Sequence, residues 1–386
     1  MRVLYLATKE PWPPVDGGRL LIHNTLHSLA DHDVELTYVA PCAPERVDAA
    51  TRALTELGVT PALVPRDARS RLGAALVSVF SGRPLSIERH RLTDVRATVA
   101  DRLARVAFDL VHGEQLQTIA NLPSSSPPVV LRAQNVESDL WRAVADSLGG
   151  PRGAFLGWQA RRLRRYESRV ANRVASVIAL TTEDATAFTR FGATPEIIAA
   201  PFASELPSGP PLSGEPALIV GGSGGWWPNR QGVERFLTTM WPAARKAFPT
   251  AELHLFGADR DDPKIRDERV HLHPAPDDSR KLFAQNGVLV VPLWIASGVR
   301  IKILEAWARG IPVIATATAA RGLGATPGRE LMLADTGEQL VDALGTLDRE
   351  RVITAGRRRL QTVHDPARLA TALVDIWRHT VNRASG

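Results

Sequence analysis

The sequence predicts an α/β protein built from two doubly wound domains. Short apolar runs alternate with helical patterns along most of the chain, which is typical of parallel sheets covered by helices. Two of these runs enter glycine-containing loops that lead into helices, as in nucleotide-binding half-domains. The chain has 386 residues, more than one hydrophobic core usually supports, so we expect two domains.

The individual elements follow from the apolar runs and the helical spacing between them. Strands are predicted in the first half at 2–7, 34–40, 59–64, 109–112, 128–132 and 175–180. Strands are predicted in the second half at 217–221, 252–256, 269–272, 288–291 and 312–315. A helix is predicted at 231–248, and a last helix at 366–383 carries Leu369, Leu373 and Trp377 at helical spacing.

One segment divides the two halves. Residues 207–216, PSGPPLSGEP, are rich in proline, glycine and serine, which favours a linker over a regular element. We therefore predict a first domain at 1–200, a linker at 201–216 and a second domain at 217–365.

Composition indicates a globular protein of the cytoplasm. Hydrophobic residues make up 44% of the chain, and the mean hydropathy is −0.09. The only cysteine, Cys42, excludes an internal disulfide and fits a reducing compartment. No apolar run is long enough to span a bilayer, and the charges and prolines soon after Met1–Ala7 do not fit a signal peptide.

The basic charge does not by itself indicate a nucleic-acid partner. The formal net charge is +6, but the arginines concentrate in two stretches, 66–105 and 153–173. No helix-turn-helix pattern, zinc-ligand spacing or aromatic RNA-binding strand accompanies them. We favour solvated helix faces for both stretches, with peripheral contact with an anionic membrane as the alternative.

The most informative segment is 297–316, SGVRIKILEAWARGIPVIAT. It predicts a small-residue loop, a helix and a buried strand, with Gly298, Arg300 and Lys302 at the start of the helix. Backbone N–H groups, a helix N-terminus and two cations suit a diphosphate. Glu305, about one turn into the helix, can accept hydrogen bonds from a ribose diol.

Two further loops extend this interpretation. In the second half, the run 218–229, LIVGGSGGWWPN, places Gly222 and Ser223 where a backbone can approach a ligand closely. Near the N-terminus, the first strand enters the loop EPWPPVDGGR, and the N–H groups of Gly17 and Gly18 are predicted to face an anion.

These segments resemble the donor-binding signature of GT-B glycosyltransferases, in particular the retaining family 4 enzymes. In that family two glutamates flank seven residues; the second, which binds the ribose, matches Glu305. The first, which contacts the sugar, falls at Ser297, and this chain departs from the pattern there. Gly298 and Val299 belong to the same donor loop.

The resemblance implies a specific fold and reaction. It implies two Rossmann-like α/β/α domains facing each other across a cleft, with the last helix, 366–384, crossing back onto the first domain. It implies transfer of a sugar, with retention, from a nucleotide-diphosphate sugar to a hydroxyl acceptor. Neither a cofactor nor a metal is expected, and the acceptor is left open among small molecules, lipids and glycans.

Two motifs of the first half resemble the acceptor side of the same family. FDLVHGEQ ends a predicted strand with His112 and Glu114, where the family often carries a histidine near the reacting sugar. We predict catalytic roles for both, either by binding a sugar hydroxyl or by assisting deprotonation. RAQNVESD resembles the family's Asn-x-Glu loop, so positioning roles are expected for Asn135 and Glu137.

Three other functions are considered. A GT-B relative that hydrolyses or epimerises a nucleotide sugar is the main alternative. A dehydrogenase fits poorly, because GGSGGW lacks the third glycine of the dinucleotide fingerprint at the right spacing. A non-enzymatic protein that binds nucleic acid is the third, and it predicts strongly salt-dependent binding.

Overall fold

The structure is a computed structural model that describes residues 1–66, 78, 81–222, 226–257, 267–276 and 278–385. The chain divides into two compact units. The first consists of Met1–Pro201, Ser297–Val299 and Pro366–Gly386. The second consists of Phe202–Ala296 and Arg300–Asp365. The domain limits and the linker drawn from the sequence stay predictions.

The first unit contains a parallel sheet with the strand order β3-β2-β1-β4-β5-β6-β7. Its strands are β1 (Arg2–Leu6), β2 (Glu35–Cys42), β3 (Thr60–Pro65), β4 (Leu110–Glu114), β5 (Val129–Ala133), β6 (Ser176–Ala179) and β7 (Glu196–Ile197). Its helices are α1 (Gly17–Ser28), α2 (Val47–Glu56), α3 (Leu85–His90), α4 (Thr93–Arg105), α5 (Glu137–Leu148), α6 (Gly150–Ala171), α7 (Thr182–Arg190) and α14 (Pro366–Ser385).

The second unit contains another parallel sheet, with the order β10-β9-β8-β11-β12-β13. Its strands are β8 (Ala217–Gly221), β9 (Glu252–Phe256), β10 (Val270–His273), β11 (Gly287–Val291), β12 (Val313–Ala315) and β13 (Met332–Leu333). Its helices are α8 (Trp227–Thr239), α9 (Trp241–Ala247), α10 (Ile301–Ala308), α11 (Ala317–Ala320), α12 (Gly337–Gly345) and α13 (Arg349–Val363). The α/β fold class predicted from the sequence is confirmed.

The last helix belongs to the core of the first unit. Leu369, Leu373 and Trp377 on α14 are buried in one apolar cluster with Val3 of β1 and Leu110 of β4. These α14 positions are the ones whose helical spacing predicts a buried face. The prediction that the C-terminal helix packs on the N-terminal domain is confirmed.

One predicted helix is two helices in the structure. The segment predicted as 231–248 forms α8 and α9, which are separated at Met240. Pro242 lies in the first turn of α9, where its missing N–H costs nothing but where it cannot continue α8. Among the helices of the described residues, none is long and apolar enough to cross a membrane.

Candidate active site

Both sheets place the predicted loops where open α/β sheets bind ligands. The strand order reverses between β1 and β4 in the first unit and between β8 and β11 in the second. Ligands bind outside the carboxyl ends of the strands at such switch points. The segment after β1 leads to Gly17 and Gly18 at the start of α1, and β4 ends at Glu114. Gly222 follows β8, and the 297–305 segment follows β11. The fold therefore gives each unit its own binding edge.

In the second unit, Lys302 lies at the end of β8. Its Nζ donates a hydrogen bond to the carbonyl oxygen of Gly221 at 2.5 Å. Burial lowers the pKa of Lys302 to about 8, because the ammonium is removed from bulk water. A partly desolvated cation gains free energy when an anion approaches, so this position suits a phosphate.

The N-terminus of α10 adds N–H groups to the same edge. The residue before this helix, Arg300, makes no side-chain cap hydrogen bond, and the N–H of Ile303 already donates to the carbonyl oxygen of Arg300 at 2.8 Å. The first N–H groups of a helix have no partner inside it and carry the positive end of the helix dipole. The beginning of α10 therefore offers donors beside the Lys302 ammonium.

The side chain of Arg300 contacts backbone carbonyl groups. Its Nε donates to the carbonyl oxygen of Ala319 at 2.9 Å, its Nη2 donates to that of Arg321, and the residue is buried. The guanidinium therefore holds the segment after α11 in place. In this arrangement Arg300 positions the loop, and direct contact of its side chain with a diphosphate stays a prediction.

Glu305 lies on α10 and forms an ion pair with a residue one turn later. Its Oε1 accepts from Nε of Arg309 at 3.0 Å and lies 2.9 Å from Nη2. Both side chains are 8% exposed. The ion pair orients the Glu305 carboxylate at the buried side of the helix. The sequence LEAWAR already shows the i,i+4 spacing of the two residues.

The predicted sugar-contacting loop is ordered by backbone contacts inside the first unit. Ser297 Oγ accepts a hydrogen bond from the N–H of Val136 at 3.2 Å. Gly298 has φ +71°, and a Cβ at this position would lie 2.2 Å from the carbonyl oxygen of Gln134. Only glycine fits this close approach without strain. Val299, which follows, is half-buried.

The glycines after β8 are constrained by their neighbours. The N–H of Gly222 donates to the carbonyl oxygen of Phe256 at 3.2 Å. A Cβ on Gly222 would lie 2.5 Å from the amide nitrogen of Asn229. Gly222 is thus a point of close packing between β8 and α8, while Ser223 lies outside the described residues.

The start of α1, where Gly17 and Gly18 lie, is capped by a carboxylate of the chain itself. Asp16 caps α1, and its Oδ1 accepts from the N–H groups of Gly18 and Arg19, both at 3.0 Å. Burial raises the pKa of Asp16, but Lys9 and Arg19 outweigh this and lower it to about 2. The N–H of Gly18 therefore donates to a carboxylate of its own chain, and the expectation that it faces a ligand anion stays a prediction. Gly17, the first residue of α1, is exposed.

Glu114, at the end of β4, is the centre of a buried polar network. Its Oε2 lies 2.6 Å from Nη2 of Arg132, and its Oε1 accepts from Nε2 of Gln134 at 3.0 Å. The hydroxyl of Tyr5 and Nε2 of His112 also donate to this carboxylate. Burial would raise the pKa of Glu114, but the Arg132 guanidinium lowers it well below its usual range. Glu114 is therefore ionised and paired.

His112 is fixed between this carboxylate and the last helix. Nε1 of Trp377 donates to Nδ1 of His112 at 3.1 Å, so Nδ1 carries no proton. The proton is therefore on Nε2, which lies 3.3 Å from Oε2 of Glu114. Burial lowers the pKa of His112 below its ordinary value, which keeps the ring neutral at pH 7.

The burial of these two residues bears on the catalytic roles predicted for them. His112 and Glu114 are both 0% exposed, and their polar atoms are already paired. A group that assists deprotonation must reach the hydroxyl of its substrate. In the structure both residues hold the carboxyl ends of β4 and β5 together, and the catalytic roles predicted for them stay a prediction.

A row of polar side chains leads from this network towards the surface. Nε2 of Gln115 donates to Oε1 of Gln134 at 2.8 Å, and Thr8 donates to Oε1 of Gln115. Gln115 has φ 76°, which is unusual for a residue with a side chain. Such strain persists only where surrounding contacts hold it, and it is concentrated at functional sites.

The Asn135–Glu137 segment is tied to the start of α5. Glu137 hydrogen-bonds with Asn135, Gln117 and Trp141, and burial raises the pKa of its carboxyl group. Glu167 on α6 accepts from the N–H groups of Glu137 at 3.0 Å and Ser138 at 3.2 Å, capping α5 from another helix. This arrangement agrees with the positioning roles expected for Asn135 and Glu137, which stay a prediction.

Sequence reasoning misses several residues that organise these edges. Arg132 appears in RAQNVESD without any sign of its partner 18 residues earlier. Trp377 is recognisable as a core residue of the last helix, but its bond to His112 spans 265 residues of sequence. The role of Asp16 could be predicted from the sequence, because an aspartate just before a helix start is a common cap.

Comparisons with known proteins give the fold. The chain is similar to sucrose-phosphate synthase from Thermosynechococcus elongatus, with a TM-score of 0.71, 15% identity and full coverage of both chains. It is similar to the Anabaena HepE protein, solved with UDP-glucose, with a TM-score of 0.66, 13% identity and coverage of 98% of this chain and 100% of that one. A mutant of S. aureus TarM, solved with fondaparinux, α-GlcNAc-glycerol and UDP, gives a TM-score of 0.67 at 9% identity, covering 98% of this chain and 100% of that one.

The architecture is therefore that of the GT-B glycosyltransferases. The family model described as "Glycosyl transferases group 1" matches residues 217–350, which contain the Lys302 and Glu305 segment. Over these residues the chain is similar to the group 1 glycosyltransferases, in agreement with its resemblance to family 4. No curated protein matches the chain.

Proposed function

We propose that the protein transfers a glycosyl group from a nucleotide-diphosphate sugar to a hydroxyl acceptor, with retention of configuration. The observation that carries this proposal is the second unit's binding edge. There the Lys302 ammonium and the start of α10, which has no side-chain cap from Arg300, lie at the switch point of a parallel sheet. This set of donors and charge suits the diphosphate of a leaving nucleotide.

The chemistry required of the protein follows from the charges that develop. Separating a diphosphate from an oxocarbenium-like sugar builds negative charge on the phosphate oxygens. Lys302 and the first N–H groups of α10 would stabilise that charge in the transition state more than in the ground state. Glu305 would bind the ribose through its carboxylate. Retention rests on the resemblance to the family, and these residues by themselves do not fix it.

A uridine diphosphate sugar is the donor we favour. HepE was solved with UDP-glucose, and TarM was solved with UDP. The acceptor proposed is a glycan, which the saccharide ligand of TarM supports, while lipid and small-molecule hydroxyls are the alternatives to be compared in the assay. Since Lys302 and the start of α10 would neutralise the charge of the phosphates, we propose a reaction that needs no divalent metal.

The test is a panel of nucleotides read by thermal shift and by transfer. Ligands that bind only the folded state raise its melting temperature by mass action, so UDP, ADP and GDP are compared with their glucose derivatives. UDP and UDP-glucose should give the largest shifts. Product analysis with and without acceptor separates transfer from hydrolysis or epimerisation. A panel with no shift, or a nucleotide product that forms equally without acceptor, would contradict the proposal.

Metal independence is tested on the same reaction. The protein treated with a chelator should retain its transfer rate when Mg²⁺ and Mn²⁺ are withheld. A rate that requires either ion would assign charge neutralisation to the metal instead of Lys302.

Contact with an anionic membrane is proposed for α6. Phe155 and Trp158 are exposed large hydrophobic residues on this helix, and the Arg162 guanidinium lies 4.4 Å from the centroid of a Trp158 ring. Apolar rings beside arginines suit the interface of anionic lipids. Phe155→Ala/Trp158→Ala should reduce sedimentation with phosphatidylglycerol vesicles, and unchanged sedimentation would argue for a solvated face.

A further inference from the structure

A cluster of imidazoles and a carboxylate lies on the edge of the second sheet. One ligand atom from each of Glu252, His254 and His271 lies within 4.8 Å of the other two. His273 adds a further imidazole, since its Nε2 is 3.0 Å from Nδ1 of His254. These residues take no part in the proposed transfer reaction.

The sheet geometry explains why these side chains meet. Alternate residues of a strand point to the same face, so Glu252 and His254 on β9 share one face, and Leu253 points into the apolar core on the other. β10 is the edge strand and pairs in parallel with β9, with His271 opposite His254. The two imidazole rings stack with centroids 4.8 Å apart.

The hydrogen bonds set the protonation of His254. Its Nε2 lies 2.9 Å from the carbonyl oxygen of Ser213, which can only accept, so Nε2 carries the proton. Nδ1 is then the nitrogen with a lone pair. A histidine that binds a metal usually donates its other N–H to a carbonyl or carboxylate in this way.

The remaining distances suit the same interpretation. Nε2 of His271 lies 2.8 Å from Oε2 of Glu252. Zinc binds imidazole and carboxylate at about 2.0–2.2 Å, so two of its ligands in a tetrahedral site are separated by about 3.4 Å. The distance of 2.8 Å between His271 Nε2 and Glu252 Oε2 and that of 3.0 Å between His273 Nε2 and His254 Nδ1 are shorter than this separation. The 4.8 Å within which one ligand atom of Glu252, His254 and His271 lies from the others is longer. Small side-chain rotations would bring the atoms to it.

We infer that Glu252, His254 and His271 bind a zinc-class divalent ion, with His273 as a further nitrogen ligand. Histidine and carboxylate ligands together suit Zn²⁺ better than Mg²⁺ or Ca²⁺, which prefer oxygen. Glu252 begins β9, at the end of the strand opposite to the edge where the Lys302 site lies. The ion would clamp β10 to β9 and would have no part in the transfer chemistry.

The test is a zinc titration of tag-free, chelator-stripped protein in competition with a chromophoric chelator. We expect one equivalent of Zn²⁺ per chain and a rise in melting temperature on binding. Co²⁺ in place of Zn²⁺ should show the visible absorption bands of a tetrahedral nitrogen and oxygen site. This measurement requires no donor sugar, so it is independent of the proposed function.

Two variants and one control localise the site. His271→Ala, at the partly exposed edge strand, should weaken Zn²⁺ binding at least tenfold, since even changes to groups behind the ligands cost about 10–100-fold. Glu252→Gln preserves shape and should also weaken it. The control is His23→Ala/His27→Ala, which removes a stacked histidine pair on α1 with ring centroids 6.4 Å apart.

The control variant should bind zinc like the parent. Less than one equivalent bound by the parent protein would overturn the inference. So would unchanged affinity in both His271→Ala and Glu252→Gln, or loss of binding in the α1 control alone. Circular dichroism of each variant establishes that it is folded before its affinity is compared.

Discussion

The buried pair of Glu114 and Arg132 should make a large contribution to the stability of the first unit. The Glu114 carboxylate accepts from Arg132, Tyr5, Gln134 and His112, and it is fully buried. Glu114→Gln removes the charge and directs an amide NH₂ at groups that are themselves donors. Removing one partner of a buried ion pair costs about 3–5 kcal/mol, because the other charge stays in the interior unpaired.

The assay is thermal and urea unfolding followed by circular dichroism. For a domain of about 150–250 residues, each kcal/mol shifts the melting temperature by about 2–4 °C, so the first unit should melt about 6–20 °C lower in Glu114→Gln. Replacing both partners, as in Glu114→Gln/Arg132→Met, should cost less than the sum of the two single changes, because no unpaired charge is left. Asp101→Asn is the matched control, since its pair with Arg105 is exposed and should change stability by less than about 1 kcal/mol.

The pH dependence follows from the lowered pKa of Glu114. A carboxyl group whose pKa is lower in the folded state contributes stability above its unfolded pKa and loses it as the pH falls through the folded value. The parent protein should therefore lose free energy of unfolding on acidification through this group, and Glu114→Gln should lack that component. A Glu114→Gln variant as stable as Asp101→Asn, or a double variant that costs the full sum, would refute the reasoning.

Three further outcomes are expected. Lys302→Ala should lower turnover at least about tenfold, or about 1.4 kcal/mol, while Lys246→Ala, at an exposed position, should not. Because burial lowers the pKa of Lys302 to about 8, the affinity of the free enzyme for the donor should fall above that pH. Equal rates in both variants would remove Lys302 from the site. Ser297→Ala should cost about 1 kcal/mol or less in kcat/KM. Gly298→Val should cost much more, because the valine side chain would collide with a backbone carbonyl group. The reverse order of the two costs would mean that the loop is misassigned. Burial raises the pKa of Glu167 to about 7, so the free energy of unfolding of the parent protein should decrease as the pH rises from about 4.5 to 7. That of Glu167→Gln should change less over the same range. Parallel pH profiles of the two proteins would contradict this expectation.

The strands of both sheets are readable from the sequence. Each predicted strand lies within about two residues of the observed one at both ends. Buried parallel strands are nearly continuous apolar runs, and such runs can be recognised in the sequence without knowledge of the tertiary structure. The sequence does not reveal β7 and β13, because a two-residue strand has no period to detect.

The donor loop is also readable, but the direction of its side chains is not. Arg300 and Lys302 are two residues apart and carry the same charge, so the sequence treats them alike. In the structure Arg300 donates to carbonyl groups near α11, and Lys302 reaches the end of β8. Which cation meets a ligand depends on which carbonyl groups the fold brings near, and those come from distant segments.

Local chemistry, then, determined the two sheets, the donor loop, the last helix and its buried face. Periodicity, glycine and helix-start signals act over a few residues, and they are the same in any fold. Tertiary structure alone decided that Glu114 and His112 are enclosed, that Gln115 adopts a positive φ, and that Trp377 fixes the tautomer of His112. Burial and hydrogen-bond partners set these properties, and both arise only when segments far apart in the sequence pack together.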